Sequence, residues 1–143
     1  MRNLVLAIFL ITSLKVINAQ GFECSIEITQ LRSNKGKCIL CLYKNSNGFP
    51  TNPQNAIAFS SSFIKDNKVN ASFKNLEPGF YAVSVLHDEN NNGVLDTNFL
   101  GIPTEGIGTS NNAKSLFGPP SFEDSKFSIN NKTNPIKITI KYL

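Results

Sequence analysis

The sequence predicts an all-β protein: a single β-sandwich of about seven short strands behind a signal peptide. Three observations carry this. Apolar and polar residues alternate over short runs, the period of a half-buried strand. Clusters of Gly, Pro, Asn and Ser separate the runs as turn signals. No helix-length amphipathic pattern competes with them.

The chain opens with the three parts of a secretory signal peptide. Arg2 supplies the charge, residues 4–11 the apolar core, and Ala19 the small residue at the cleavage point. The apolar run is shorter than the roughly 20 residues a stable bilayer span needs, and nothing downstream is longer. Glu23 stands where a lipid-modified Cys24 would need a small neighbour, which speaks against a lipoprotein. The expectation is an exported chain, periplasmic or extracellular, with a signal peptide over 1–19 and one domain over 20–143. No stable membrane span is expected in the mature part.

The formal net charge is +4, and loss of Arg2 and Lys15 with the leader lowers it by two. The basic residues are scattered singly, which gives no support to nucleic-acid binding.

The elements follow in order. Cys24, Ile26 and Ile28 alternate with Ser25, Glu27 and Thr29, a half-buried strand. Residues 33–36 form a turn cluster. Residues 38–43 are apolar on both faces, as in a covered central strand. Residues 45–55 hold Gly48, Pro50 and Pro53 and read as a loop; 56–63 suit either a strand or a short helix. Val69, Ala71 and Phe73 alternate with polar neighbours in another strand. Residues 75–79 place Pro78 and Gly79 to reverse the chain. Residues 80–86 are apolar throughout, a core strand. Residues 87–125 show little periodicity, yet contain Phe99, Leu100, Ile102, Leu116, Phe117 and Phe122, too many apolar groups for disorder. Phe127 and Ile129 mark a short strand. Ile136, Ile138, Ile140 and Tyr142 mark the closing one.

The three cysteines are Cys24, Cys38 and Cys41. Cys38 and Cys41 sit three apart on a predicted strand, so they face opposite sides beyond disulfide reach. Buried packing thiols are the expectation, and a Cys24 bridge to either partner stays open.

One loop carries plausible site chemistry. Asp88, Asn90, Asn92 and Asp96 fall at alternating positions of an oxygen-ligand calcium loop. Gly93 sits at the sharp turn, and the Val94 carbonyl is the fifth donor. Phe99 stands where a bidentate Glu would close the shell, so any calcium affinity is weak. Glu89, Glu105, Glu123 or Asp124 are the carboxylates that a fold could bring to complete it. The same residues also suit a plain turn, since Asn92-Gly93 is a strong hairpin signal and Asp and Asn satisfy turn backbone.

His87 is the only histidine, and no nucleophile motif accompanies it. A small secreted hydrolase using His87 with carboxylates of 87–125, such as Glu105 with Glu123, is the alternative to a non-catalytic binding or accessory module. The triplets at Asn70 and Asn131 are glycosylation sequons.

Residues 76–105 read LEPGFYAVSVLHDENNNGVLDTNFLGIPTE. With 108–113 and 117–122, this run resembles the exported bacterial family DUF2141. The family's loop motif matches at His87, Asp88, Asn90, Asn92, Gly93, Asp96, Asn98, Phe99, Gly101 and Pro103. The resemblance implies a secreted or periplasmic β-sandwich similar to transthyretin-like and carboxypeptidase regulatory domains. It implies no activity. The ligand or protein partner is not specified by it, and the cysteines stand outside the motif.

Overall fold

The computed structural model describes residues 21–133 and 135–143, and the signal peptide read at 1–19 lies outside them. Among these residues eight strands form in chain order: β1 (Phe22–Thr29), β2 (Lys37–Tyr43), β3 (Ala58–Phe63), β4 (Val69–Leu76), β5 (Gly79–Asp88), β6 (Gly106–Thr109), β7 (Phe127–Ile129) and β8 (Ile136–Thr139). A single helical turn, α1 (Phe122–Ser125), precedes β7. The all-β reading holds, with eight strands rather than seven.

The strands form two sheets. The smaller has the order β4-β1-β8, with β1 antiparallel to β4 and parallel to β8. The larger has the order β3-β2-β5-β6, with β7 paired to the start of β5. β6 pairs with the far half of β5, Ser84 opposite Thr109 and His87 opposite Gly106.

Side-chain alternation explains the core. Ile26 and Ile28 of β1, Leu40 and Leu42 of β2, Val83 and Val85 of β5, and Ile138 of β8 point between the sheets and are buried together. Each such aliphatic side chain contributes about 1.5–3 kcal/mol by leaving water. β2 is apolar on both faces because both are covered. Its outward Cys41 and Tyr43 join a second cluster with Ala82 and Phe122, lidded by Phe49.

Two expectations need correction. The strand read over Val69, Ala71 and Phe73 continues to Leu76. Cys24 faces Phe73 and Phe22 faces Leu76, so β4 carries one extra residue. That bulge, with Asn75 at φ 57°, turns Leu76 back into the core. The segment 87–125 also contains β6, which its sequence hides: Gly-Ile-Gly-Thr has almost no apolar alternation. Gly106 and Gly108 are required there by crowding, since a Cβ at Gly106 would lie 2.5 Å from Ile140 Cγ2 and Tyr142 Cε1.

The cysteines behave as packing thiols. All three are free and buried, Cys38 in the main core and Cys41 in the outer cluster. Burial pushes the Cys24 thiol up to about 11 and the Cys38 thiol up to about 12.

Candidate functional site: the loop leaving β5

β5 delivers two consecutive polar residues to one end of the sandwich, and the pleat sends them to opposite faces. His87 points inward opposite Cys38; Asp88 points outward opposite Lys37. Both are fully buried.

Asp88 is buried because the chain after it curls over its carboxylate. Oδ1 accepts the N–H of Asn92 at 3.1 Å, and Oδ2 accepts the N–H of Gly93 at 2.9 Å. Lys37 Nζ lies 3.9 Å from Oδ2. Gly93 has φ +80°, the conformation that lets both N–H groups face one carboxylate.

Short Asx bonds then propagate the turn. Asn90 Oδ1 accepts from Asn92 N–H at 3.0 Å, and Asn92 Oδ1 accepts from Val94 N–H at 3.0 Å. Those two bonds assign the amides, so the nitrogens face the other way. Asn90 Nδ2 donates to Asp96 Oδ2 at 2.6 Å, and Asn92 Nδ2 donates to Asp96 Oδ1 at 3.0 Å. Asn98 Oδ1 closes a second turn by accepting from Leu100 N–H and Ile102 N–H.

Glu105 fixes both ends of this loop. Its side chain is buried; Oε1 accepts the N–H of Glu89 at 2.9 Å and Oε2 the N–H of Asp96 at 3.1 Å. Asp96 carbonyl accepts from Thr104 N–H and from Thr104 Oγ1. The loop is thus ordered by two buried carboxylates acting on its own backbone.

A second network sits on the inward side. His87 Nε2 lies 2.9 Å from the Lys35 carbonyl, which only accepts, so Nε2 carries the proton. In the neutral ring Nδ1 is then the acceptor, with Tyr142 Oη donating to it at 2.6 Å. Tyr142 Oη in turn accepts from Arg32 N–H at 3.0 Å. The Arg32 guanidinium covers the Tyr142 ring at 4.4 Å and pairs with Glu89, while Ser33 Oγ donates to Glu89. The hydrogen bond from Arg32 holds the Glu89 carboxyl below the usual range.

The predicted site residues Asp88, Asn90, Asn92 and Asp96 are therefore brought together, with Val94 on the same turn. Of the four carboxylates considered as completing ligands, Glu105 alone reaches this hydrogen-bond set, through backbone rather than through a shared centre. Glu89 is held by Arg32. Glu123 pairs with Lys126, and Asp124 belongs to the Ser121 cap of α1. Among the described residues, no group of three or more His, Cys, Asp or Glu is placed to hold a metal ion. The loop's donors are two carboxylates and two amides, a set of low charge.

Asn111, Asn112 and Phe122 serve contacts away from this loop. Asn111 Nδ2 donates to the Lys126 carbonyl and Asn112 Oδ1 accepts from Thr139 N–H, tying β6 to α1 and β8. Phe122 meets Phe49 over the outer cluster, along β5 from Asp88. Sequence reasoning missed Arg32, Tyr142 and the Lys35 carbonyl. Nothing local flags them, because each reaches His87 or Glu89 only through long-range packing.

The fold and this loop define an eight-stranded, two-sheet β protein with a carboxylate-ordered loop at the end of its longest strand. The chain matches the family model described as uncharacterized protein conserved in bacteria, DUF2141, over residues 26–137, and it belongs to that family. No curated protein and no solved structure matches it. Among the described residues no helix is long and apolar enough to cross a membrane.

Proposed function

We propose that this protein is an exported, non-catalytic binding or accessory module whose contact element is the loop between β5 and β6. One observation carries the reading. The loop is held by buried Asp88 and Glu105, yet it keeps Val94, Phe99, Leu100 and Ile102 in solvent, with Phe99 95% exposed. Ordered loops on rigid scaffolds are where binding residues concentrate, and a fixed apolar cluster in water is a recognition surface. The partner this chemistry fits is a protein with an apolar patch, met outside the cytoplasm.

The rival hydrolase reading finds no support in His87. Its ring is buried and both nitrogens are engaged, and the adjacent Cys38 thiol is held protonated by burial.

The test is a photo-crosslinking amino acid at position 99 in exporting cells, with position 70 on β4 as control. A discrete adduct at 99 and none at 70 is expected. Equal or absent labelling at the two positions removes the reading. N-terminal sequencing of the secreted form checks export, with Gln20 as the expected first residue.

Weak calcium binding is the second reading, supported by the convergence of Asn90 and Asn92 on the Asp96 carboxylate. Turning the two amides over would present oxygens to a cation held with Asp88, Asp96 and the Val94 carbonyl. That rearrangement gives up two Asx bonds, so affinity in the range of about 10⁻⁴ to 10⁻³ M is expected. Isothermal titration with calcium checks it: no heat at several millimolar removes the ion from the account.

A further inference from the structure

Two edge strands of this sandwich, β4 and β3, are treated differently. β4 carries Lys74 and ends in a bulge, devices that blunt an edge against pairing. β3 has neither. It has a regular register with β2, carries no charge or proline, and among the described residues only β2 pairs with it. Its outer face holds two aromatic rings in water, Phe59 58% and Phe63 87% exposed.

The sequence of that edge is a palindrome. Residues 59–63 read Phe-Ser-Ser-Ser-Phe, symmetric about Ser61. A two-fold axis at Ser61 running a second β3 antiparallel to the first sets Phe59 opposite Phe63 of the other copy, twice. Directly paired residues in an antiparallel ladder share a face, so both aromatic pairs form on the outer face. Ser61 meets its own copy. The nearest charge, Lys65, falls opposite Ile57, so no like charges are opposed.

We propose that the protein self-associates through β3, joining two larger sheets into one continuous sheet by an isologous contact centred on Ser61. Six residues of edge and two Phe pairs bury less than the roughly 1,200 Å² of a standard stable complex. The dimer is therefore weak and populated only at high concentration. This goes beyond the loop-binding function, since β3 and the β5–β6 loop are separate elements.

Sedimentation equilibrium across a wide concentration series is the test. The mass should climb toward twice that of the monomer. Ser61→Lys, which opposes two ammonium groups at the axis, should return the monomer, and Phe99→Ser should leave association unchanged. Persistent association of a folded Ser61→Lys variant would overturn the proposal. So would a monomer at every concentration, which would leave the edge to an extended segment of another protein. If Ser61→Lys does not fold, Ser61→Cys replaces it. Antiparallel partners sit about 4.5–5.5 Å apart at Cα, inside disulfide range. Mild copper-catalysed oxidation should give a covalent dimer, with none from Asn70→Cys on β4; no covalent dimer would overturn the register.

Discussion

Glu105 Oε2 accepts the backbone N–H of Asp96 at 3.1 Å, and its other oxygen holds Glu89. A single side chain at the end of the loop thereby sets where the loop leaves β5 and where its second turn begins. Glu105→Ala should strip both N–H groups of their acceptor and cost about 2–3 kcal/mol, the scale of losing charged hydrogen bonds in a buried setting. Urea unfolding measures the loss, and hydrogen exchange should show the Glu89 and Asp96 amides opening first. Unchanged exchange there would mean the loop is held by other contacts.

Two left-handed glycines separate conformational strain from crowding. Gly93 has φ +80° with open space around it; Gly36 has φ +67° with the Asp88 carbonyl oxygen 1.9 Å from an added Cβ. Gly93→Ala should cost only about 1–2 kcal/mol, the penalty of a left-handed non-glycine residue. Gly36→Ala should cost clearly more, because the turn before β2 must then move off β5. Equal melting-temperature shifts in the two variants would contradict this.

Tyr142→Phe removes the hydroxyl between His87 Nδ1 and Arg32 N–H. Leaving a buried imidazole nitrogen without its donor should destabilise the fold by about 1–3 kcal/mol. Nitrogen NMR of His87 should also show the Nδ1 resonance shift on losing its hydrogen bond, while the Lys35 carbonyl keeps the proton on Nε2. A spectrum unchanged from the parent would sink the assignment of the hydrogen-bond chain.

Glu89 gives a pH dependence with a defined sign. Its hydrogen bond from Arg32 lowers the folded-state value below the ordinary 4.5 of a free glutamate. A depressed carboxylate contributes stability that is present above the unfolded value and lost as pH falls through the folded one. Stability should therefore drop below about pH 4.5, and Glu89→Gln should flatten that part of the profile. The pair is partly exposed, so the effect is modest and shrinks with salt.

The strands were legible wherever local alternation coincided with burial. Ile26 and Ile28, Leu40 and Leu42, and Ile136 to Tyr142 alternate because one face of each strand meets the core. β6 was not legible, because its glycines answer to Ile138, Ile140 and Tyr142, residues far along the chain. The inward turn of Leu76 was not legible, because it depends on a bulge opposite Phe22. The partner of Phe122 was not legible either, since only the folded outer face brings Phe49 to it.

The sequence by itself determined the all-β class, the family and the convergence of Asp88, Asn90, Asn92 and Asp96 on one turn. All of these rest on short-range pattern: side-chain period, turn residues and spacing within a few positions. Only the tertiary structure decided that Asp88 and Glu105 hold backbone amides, that His87 is locked between the Lys35 carbonyl and Tyr142, and that β3 keeps an open palindromic edge. The physical reason is that satisfying a buried polar group depends on which distant segments close around it, and local sequence does not carry that information.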